Sequence, residues 1–279
     1  MSAISRVDAL KKTITYIFSG EVTGQSLTSI YPLGTGFFVA VPHLQVEGQS
    51  WIYLVTARHV LRSNSEEYYR QVFCRANLRD WNPGSDRAGV EFIQVSTSGT
   101  EGNLLWAVHS NPAVDIAVIQ QYPRPDRFDF QTIPTAAFVT QEMIQRDGIV
   151  EGQELFFPCF TPEIPQHRRN HPIIRFGRIS LLSTEDFETR EGSVRFHLAE
   201  CFPFGGNSGS PVFVRATEAR YGLFGIMTGY YLTIQSVIQK TQSGLVTPQH
   251  MGIATIVPID HLHDILFSNA FRRSRGEIS

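Results

Sequence analysis

The chain has 279 residues, of which 42% are hydrophobic and 18% charged, and its formal net charge is −2. This is a globular composition, long enough for one large or two small domains, and it excludes an intrinsically disordered protein. The near-neutral charge gives no footprint for nucleic acid or an anionic membrane surface, and no run of about 18 apolar residues marks a membrane-spanning helix.

In chain order, residues 1–33 read as a helix, Ile4 to Ile17, with an extension. Gly34 to Val41 (GTGFFVAV) and Trp51 to Ala57 (WIYLVTA) are rich in β-branched and aromatic residues and predict an antiparallel hairpin with a long connection. Gly89–Val95, Leu105–Val108 and Ile116–Ile119 continue the pattern. The Pro-rich stretch Gln120 to Pro134 (QQYPRPDRFDFQTIP) marks a boundary, placed at 135.

The second half repeats the style. Strands are predicted at Glu154–Pro158, Ile173–Leu182, Ser193–Leu198, Pro211–Val214, Tyr221–Thr228 and Met251–Val257, punctuated by Gly152, Pro162, Gly192, Gly205 and Gly244. Many short strands and few helical periods argue for an all-β barrel or sandwich, divided into 34–135 and 136–258. From 259 to 279 a C-terminal helix is expected, capped by Asp260 with Leu262, Ile265 and Leu266 on one face, followed by a frayed tail, FRRSRGEIS.

Cys74, Cys159 and Cys201 are odd in number, far apart and without metal-ligand spacing, which suggests a reducing compartment. The N-terminal residues lack the apolar core of a signal peptide. A cytoplasmic location is therefore expected. His167 to His171 (HRRNH) reads as a solvated loop, and His109 as a structural histidine.

Three residues stand in contexts suited to nucleophilic catalysis. Ser208 lies in Gly205-Gly206-Asn207-Ser208-Gly209-Ser210-Pro211. A serine hydroxyl needs a base to become a nucleophile, and the oxyanion formed by its attack needs donors. Glycines let the backbone turn N–H groups toward one point, here those of Gly206 and Ser208. His59, just past a predicted strand, is the candidate base. Asp115, at the start of an apolar strand, is expensive there unless paired, and a histidine N–H is a fitting partner. The order Ser, Asp, His and the G-x-S-x-G elbow of α/β-hydrolases do not fit, because His59 and Asp115 precede Ser208 and Ser210 replaces the second glycine.

The stretches Gly34-Thr35-Gly36-Phe37, Val55-Thr56-Ala57-Arg58-His59-Val60, Asp115-Ile116-Ala117-Val118 and Gly206-Asn207-Ser208-Gly209-Ser210-Pro211 occur in one order. With weaker echoes at Glu154–Phe160, Phe176–Ser180, Gly225-Ile226 and Gly252–Pro258, they resemble the chymotrypsin/trypsin-like serine proteases, specifically the bacterial trypsin-like branch related to HtrA. The resemblance covers Gly34 to Leu266. It implies two six-stranded antiparallel Greek-key β-barrels, with His59 and Asp115 from the first and Ser208 from the second. It implies a Ser-His-Asp triad and an oxyanion hole from the N–H groups of Gly206 and Ser208. Val60 stands where the digestive enzymes of this superfamily have a disulfide cysteine. Asn207 stands where they have the aspartate that pairs with a new N-terminus. The short tail after the last helix leaves no room for a PDZ domain.

Counting six residues back from Ser208, the resemblance puts Phe202 at the base of the substrate pocket, with Thr228, Gly229 and Tyr230 forming its wall and pairing with extended substrate backbone. A small or medium apolar side chain is then the expected occupant. The leading functional reading is a serine endopeptidase acting on protein or peptide, with no metal or organic cofactor and with no nucleic-acid or membrane partner. The alternative is a latent or inactive protease-fold interaction module that needs an activating partner to form its oxyanion hole.

Overall fold

The computed structural model describes residues 7–278 apart from 25, 64, 100–103, 165, 218–219 and 240–241. A short helix, α1 (Val7–Lys11), leads into β1 (Ile14–Thr23), β2 (Ser26–Pro42), β3 (Ser50–Thr56), β4 (Gln71–Asn77), β5 (Val90–Ser96), β6 (Ala117–Gln120) and β7 (Ile133–Pro134). These seven strands form one sheet in the order β5-β4-β1-β2-β3-β6, with β7 parallel to β2. Isolated bridges at Ser98–Leu104 and Ala107–Val118 bring its two ends together. The helix α2 (Gln141–Arg146) then connects to the second half.

The second half contains β8 (Glu154–Cys159), β9 (Ile173–Leu181), β10 (Phe187–Thr189), β11 (Gly192–Val194), β12 (His197–Glu200), β13 (Pro211–Thr217), β14 (Arg220–Gln239) and β15 (Gln242–Pro258). Six of these close a barrel in the order β12-β15-β14-β13-β8-β9, while β10 and β11 form a separate hairpin. The expected all-β architecture with two barrels is what the chain adopts. Two short helices, α3 (Ile259–Leu266) and α4 (Asn269–Ser274), follow.

The apolar runs are continuous because both faces of these strands are covered. Phe38 and Leu54 pack inside the first barrel, whereas Phe37, Val39 and Val55 point the other way, into a shared core between the barrels. The second barrel behaves alike: Leu155, Phe157, Val212 and Val214 fill its interior, while Phe156 and Phe213 face the shared core. Four apolar side chains of α3, Ile259, Leu262, Ile265 and Leu266, join that core and contribute roughly 2 kcal/mol each.

Several expectations are corrected. Of the Ile4–Ile17 helical reading, residues 4–6 lie outside the described residues, Val7–Lys11 is helix, and from Ile14 the chain is strand. The run Ile14-Thr15-Tyr16-Ile17 is β-branched and aromatic, and β1 pairs with both β2 and β4, so 14–33 belongs to the first barrel. Leu105–Val108 makes one isolated bridge, at Ala107, and no strand, and Ser193–Leu198 divides between β11 and β12. Gly244, read as a turn, lies within β15. Asp260 does not cap α3: it stands in the first turn, and its carboxylate accepts the Gln141 N–H at 3.1 and 3.2 Å. The tail is docked rather than frayed, since Arg275 is buried and donates to Leu266 O at 2.7 Å and to Tyr53 Oη at 3.3 Å.

The strand β4 was not expected, because Arg75 interrupts its apolar pattern. Arg75 is buried, and it donates to Asn170 Oδ1 at 2.5 Å, to Gln166 O at 2.6 Å and to His167 O at 3.0 Å. Asn170 and Asn77 exchange two further bonds. The loop carrying HRRNH is therefore a clasp between the barrels, and not simply solvated.

Candidate active site

Strand register assembles the first half of the site. β3 and β6 are antiparallel, with Thr56 opposite Ala117. Three residues past Thr56 and two before Ala117, His59 and Asp115 must therefore meet. His59 sits in a 3-10 turn, Arg58–Leu61, anchored by buried Val60 and Leu61. Its backbone N–H donates to Asp115 Oδ1 at 2.9 Å, and its Nδ1 lies 2.5 Å from Asp115 Oδ2. Both carboxylate oxygens are thus occupied, and the ring is oriented with Nε2 free to act as an acceptor.

The histidine side chain is 45% exposed and the aspartate 24%. Burial opposes protonation of His59, but the hydrogen bond and charge of Asp115 outweigh it, so the imidazole pKa lies above its ordinary value. Burial likewise opposes ionisation of Asp115, yet the His59 ring, its charge and its backbone N–H hold the carboxyl below the usual carboxylate range.

Ser208 is placed by a different device. Thr35, in β2, reaches across the barrel interface: its N–H donates to Ser208 O at 2.9 Å, and its Oγ1 donates to Gly206 O at 2.7 Å while accepting the Phe160 N–H at 3.0 Å. Buried Asn207 fixes the turn from inside, donating to Phe160 O at 2.7 Å and accepting the Phe204 N–H at 3.0 Å. Gly209 has φ +85°, and a Cβ there would stand 2.1 Å from Thr35 O and 2.4 Å from Thr56 Oγ1. Only glycine lets the loop approach the strand end beside His59 so closely.

The two proposed oxyanion donors have free N–H groups. Among the described residues, neither Gly206 N–H nor Ser208 N–H has an acceptor. The Ser208 N–H is fixed in direction, because Asn207 O in the same planar peptide accepts the Ser210 N–H at 3.1 Å. The Gly205–Gly206 peptide makes no hydrogen bond among the described residues. Ser208 Oγ is not hydrogen-bonded to His59, so the structure brings the loop to the pair without closing the last contact.

A cavity of about 550 Å³ opens beside His59 and Asp115, and Thr228, Gly229 and Tyr230 line it. Phe202 does not join them. It is 56% exposed, and its ring lies over Gly252, where a Cβ would be 3.2 Å away. The side-chain-free, positive-φ glycine leaves that surface open to the ring, which a residue count from Ser208 cannot reveal. Sequence reasoning also missed Thr35 and Asn207 as the supports of the loop. The only local signal for the former was a threonine held between two glycines.

Paired β-barrels with a histidine–aspartate pair on one and a glycine-rich serine loop on the other define a protein with the trypsin-like serine peptidase fold. The chain belongs to the trypsin-like peptidase domain family, whose sequence profile matches residues 34–223. Among solved structures, the MamO protease domain from Magnetospirillum magneticum (apo form) is similar, with a TM-score of 0.50 and 14% identity over 92% of this chain and 96% of that chain. At that identity the likeness shows the fold alone. No curated protein matches the chain in sequence.

Proposed function

We propose that the protein is a serine endopeptidase in which Ser208, His59 and Asp115 form the catalytic triad. The observation that carries this reading is the two-point contact of His59 with Asp115, through Nδ1 and the backbone N–H, at 2.5 and 2.9 Å. The Nδ1 contact holds the tautomer and orientation a base needs, and the backbone N–H fixes the carboxylate that makes that contact.

Ser208 Oγ, after turning toward His59, attacks the peptide carbonyl as its proton passes to Nε2. The N–H groups of Gly206 and Ser208 receive the oxyanion. His59 returns the proton to the leaving amine as the C–N bond breaks, and water then hydrolyses the acyl ester by the same route. Thr228 to Tyr230 pair with the acyl-side backbone of a peptide or protein substrate. No step calls for a metal or organic cofactor. The three cysteines are free and buried, which supports a reducing compartment such as the cytoplasm. Among the described residues, no helix is long and apolar enough to cross a membrane.

One observation favours the second reading, a latent enzyme awaiting a partner. The Gly205–Gly206 peptide is unanchored, so the direction of the Gly206 N–H can change without breaking a bond. Labelling of purified protein by a fluorophosphonate separates the two. Stoichiometric labelling lost in Ser208→Ala supports a formed site; a folded wild-type protein that does not label contradicts constitutive activity.

A further inference from the structure

Arg58 adjoins the proposed base, yet it is only 8% exposed. Its guanidinium is ion-paired with Glu191, at the tip of the β10–β11 hairpin. The other oxygen of that carboxylate accepts from Arg62 Nη1 at 3.3 Å. One acid of the β10–β11 hairpin therefore bridges two arginines of the first barrel.

The hairpin has three residue pairs and would not persist alone. Besides the ion pairs, it is held by the Asn111 Nδ2 bond to Ser193 O at 2.8 Å and by Phe187 stacked on Phe196, with ring centroids 4.3 Å apart. So fastened, it walls the cavity that His59, Asp115 and Thr228–Tyr230 share, and Arg58, Arg62 and Glu191 all line that cavity.

We propose that Glu191 sets the charge selectivity of the acyl-side substrate subsite. With its carboxylate in place, Glu191 and Glu66 together balance the two arginines, Glu191 being the only one of the two acids on Arg58, and the subsite takes uncharged side chains and turns carboxylates away. Without it, the same cavity is a carboxylate-binding site. A guanidinium pair matches carboxylate geometry and binds it strongly when desolvated. Buried Arg58 would carry an uncompensated charge that an incoming carboxylate relieves. The other groups facing these arginines do not replace Glu191. Asp115 is held by His59, Glu66 and the Tyr68 hydroxyl reach only Arg62, at 3.3 and 3.0 Å, and Glu188 and Arg190 are exposed on the hairpin with opposite charges.

This inference rests on the peptidase reading for the nature of the ligand, but its test needs no turnover. A degenerate octapeptide library with equal Gln and Glu at each position is passed over immobilised Ser208→Ala protein, and retained peptides are counted by mass spectrometry. The expected result is depletion of Glu at one or two adjacent positions by about fivefold, and a shift toward Glu at those positions of about tenfold when Glu191→Gln is added. Glu191→Asp should keep the depletion. Arg58→Gln combined with Glu191→Gln, a neutral pair of similar shape, should restore it and separates charge from hairpin disorder. A Glu-to-Gln ratio that Glu191→Gln leaves within about twofold, a preference for Glu before the change, or no retained peptide would each overturn the proposal. Failure of the peptidase reading shows separately, as wild-type protein that does not label with fluorophosphonate.

Discussion

The His59–Asp115 pair and the Ser208 loop are neighbours built on opposite principles. The pair is fixed within one barrel by the register of β3 and β6, and every polar atom between the two residues is used. The loop is fixed across barrels, by Thr35 and Asn207 and by a glycine that tolerates close approach, and it leaves one peptide unanchored. The proposed base is thus preorganised by secondary structure, and the proposed nucleophile by tertiary contact. Disturbance of the barrel interface should therefore reach Ser208 before it reaches His59.

The comparison can be broken at its centre first. Ser208→Ala should lower peptide turnover on the order of 10⁶-fold, read by release of cleaved peptide, with Tm nearly unchanged. Asp115→Asn should cost about 10⁴-fold in kcat, since the amide leaves His59 in the wrong tautomer while its shape is kept. Gly209→Ala acts on the loop alone. Its methyl group cannot be placed without moving Thr35 or Thr56, so a loss of about 3–5 kcal/mol in denaturant unfolding is expected.

Thr35→Val is subtler. It removes one donor and one acceptor at the barrel interface, costs about 1–3 kcal/mol per orphaned group, and should slow fluorophosphonate labelling by about ten- to a hundredfold while the His59–Asp115 bond persists. The smallest effect is a pH dependence of stability. The folded His59 pKa is raised, so its contribution is complete below the unfolded value and lost as pH rises through the folded one. The Asp115 pKa is depressed, so its contribution is present above the unfolded value and lost as pH falls through the folded one. The Tm difference between wild type and Asp115→Asn should therefore be greatest near about pH 5 and shrink toward about pH 8.

How much of this was legible follows the same division. His59 and Asp115 announced themselves because each adjoins an apolar strand, and strand pairing is a local, periodic signal. Ser208 was legible from its glycines. Thr35 was not, because its partners Gly206 and Ser208 lie in a distant stretch and no periodicity links them. Glu191 and Arg58 lie far apart in the sequence with no periodicity between them; only folding joins them. Phe202 was displaced because counting along a loop ignores the strand, at Gly252, against which its ring settles. Arg75 hid β4, since a buried arginine reads as a break until Asn170 is brought to it.

The central claim is that Ser208 is a nucleophile activated by a histidine whose pKa Asp115 has raised. It is tested most directly by the second-order rate of fluorophosphonate labelling at Ser208 as a function of pH, read by intact-protein mass spectrometry. The account predicts a single sigmoidal rise with its midpoint above about 6.5, and a midpoint that moves down in Asp115→Asn along with a large loss of rate. A rate independent of pH, or a midpoint unmoved by Asp115→Asn, would contradict it.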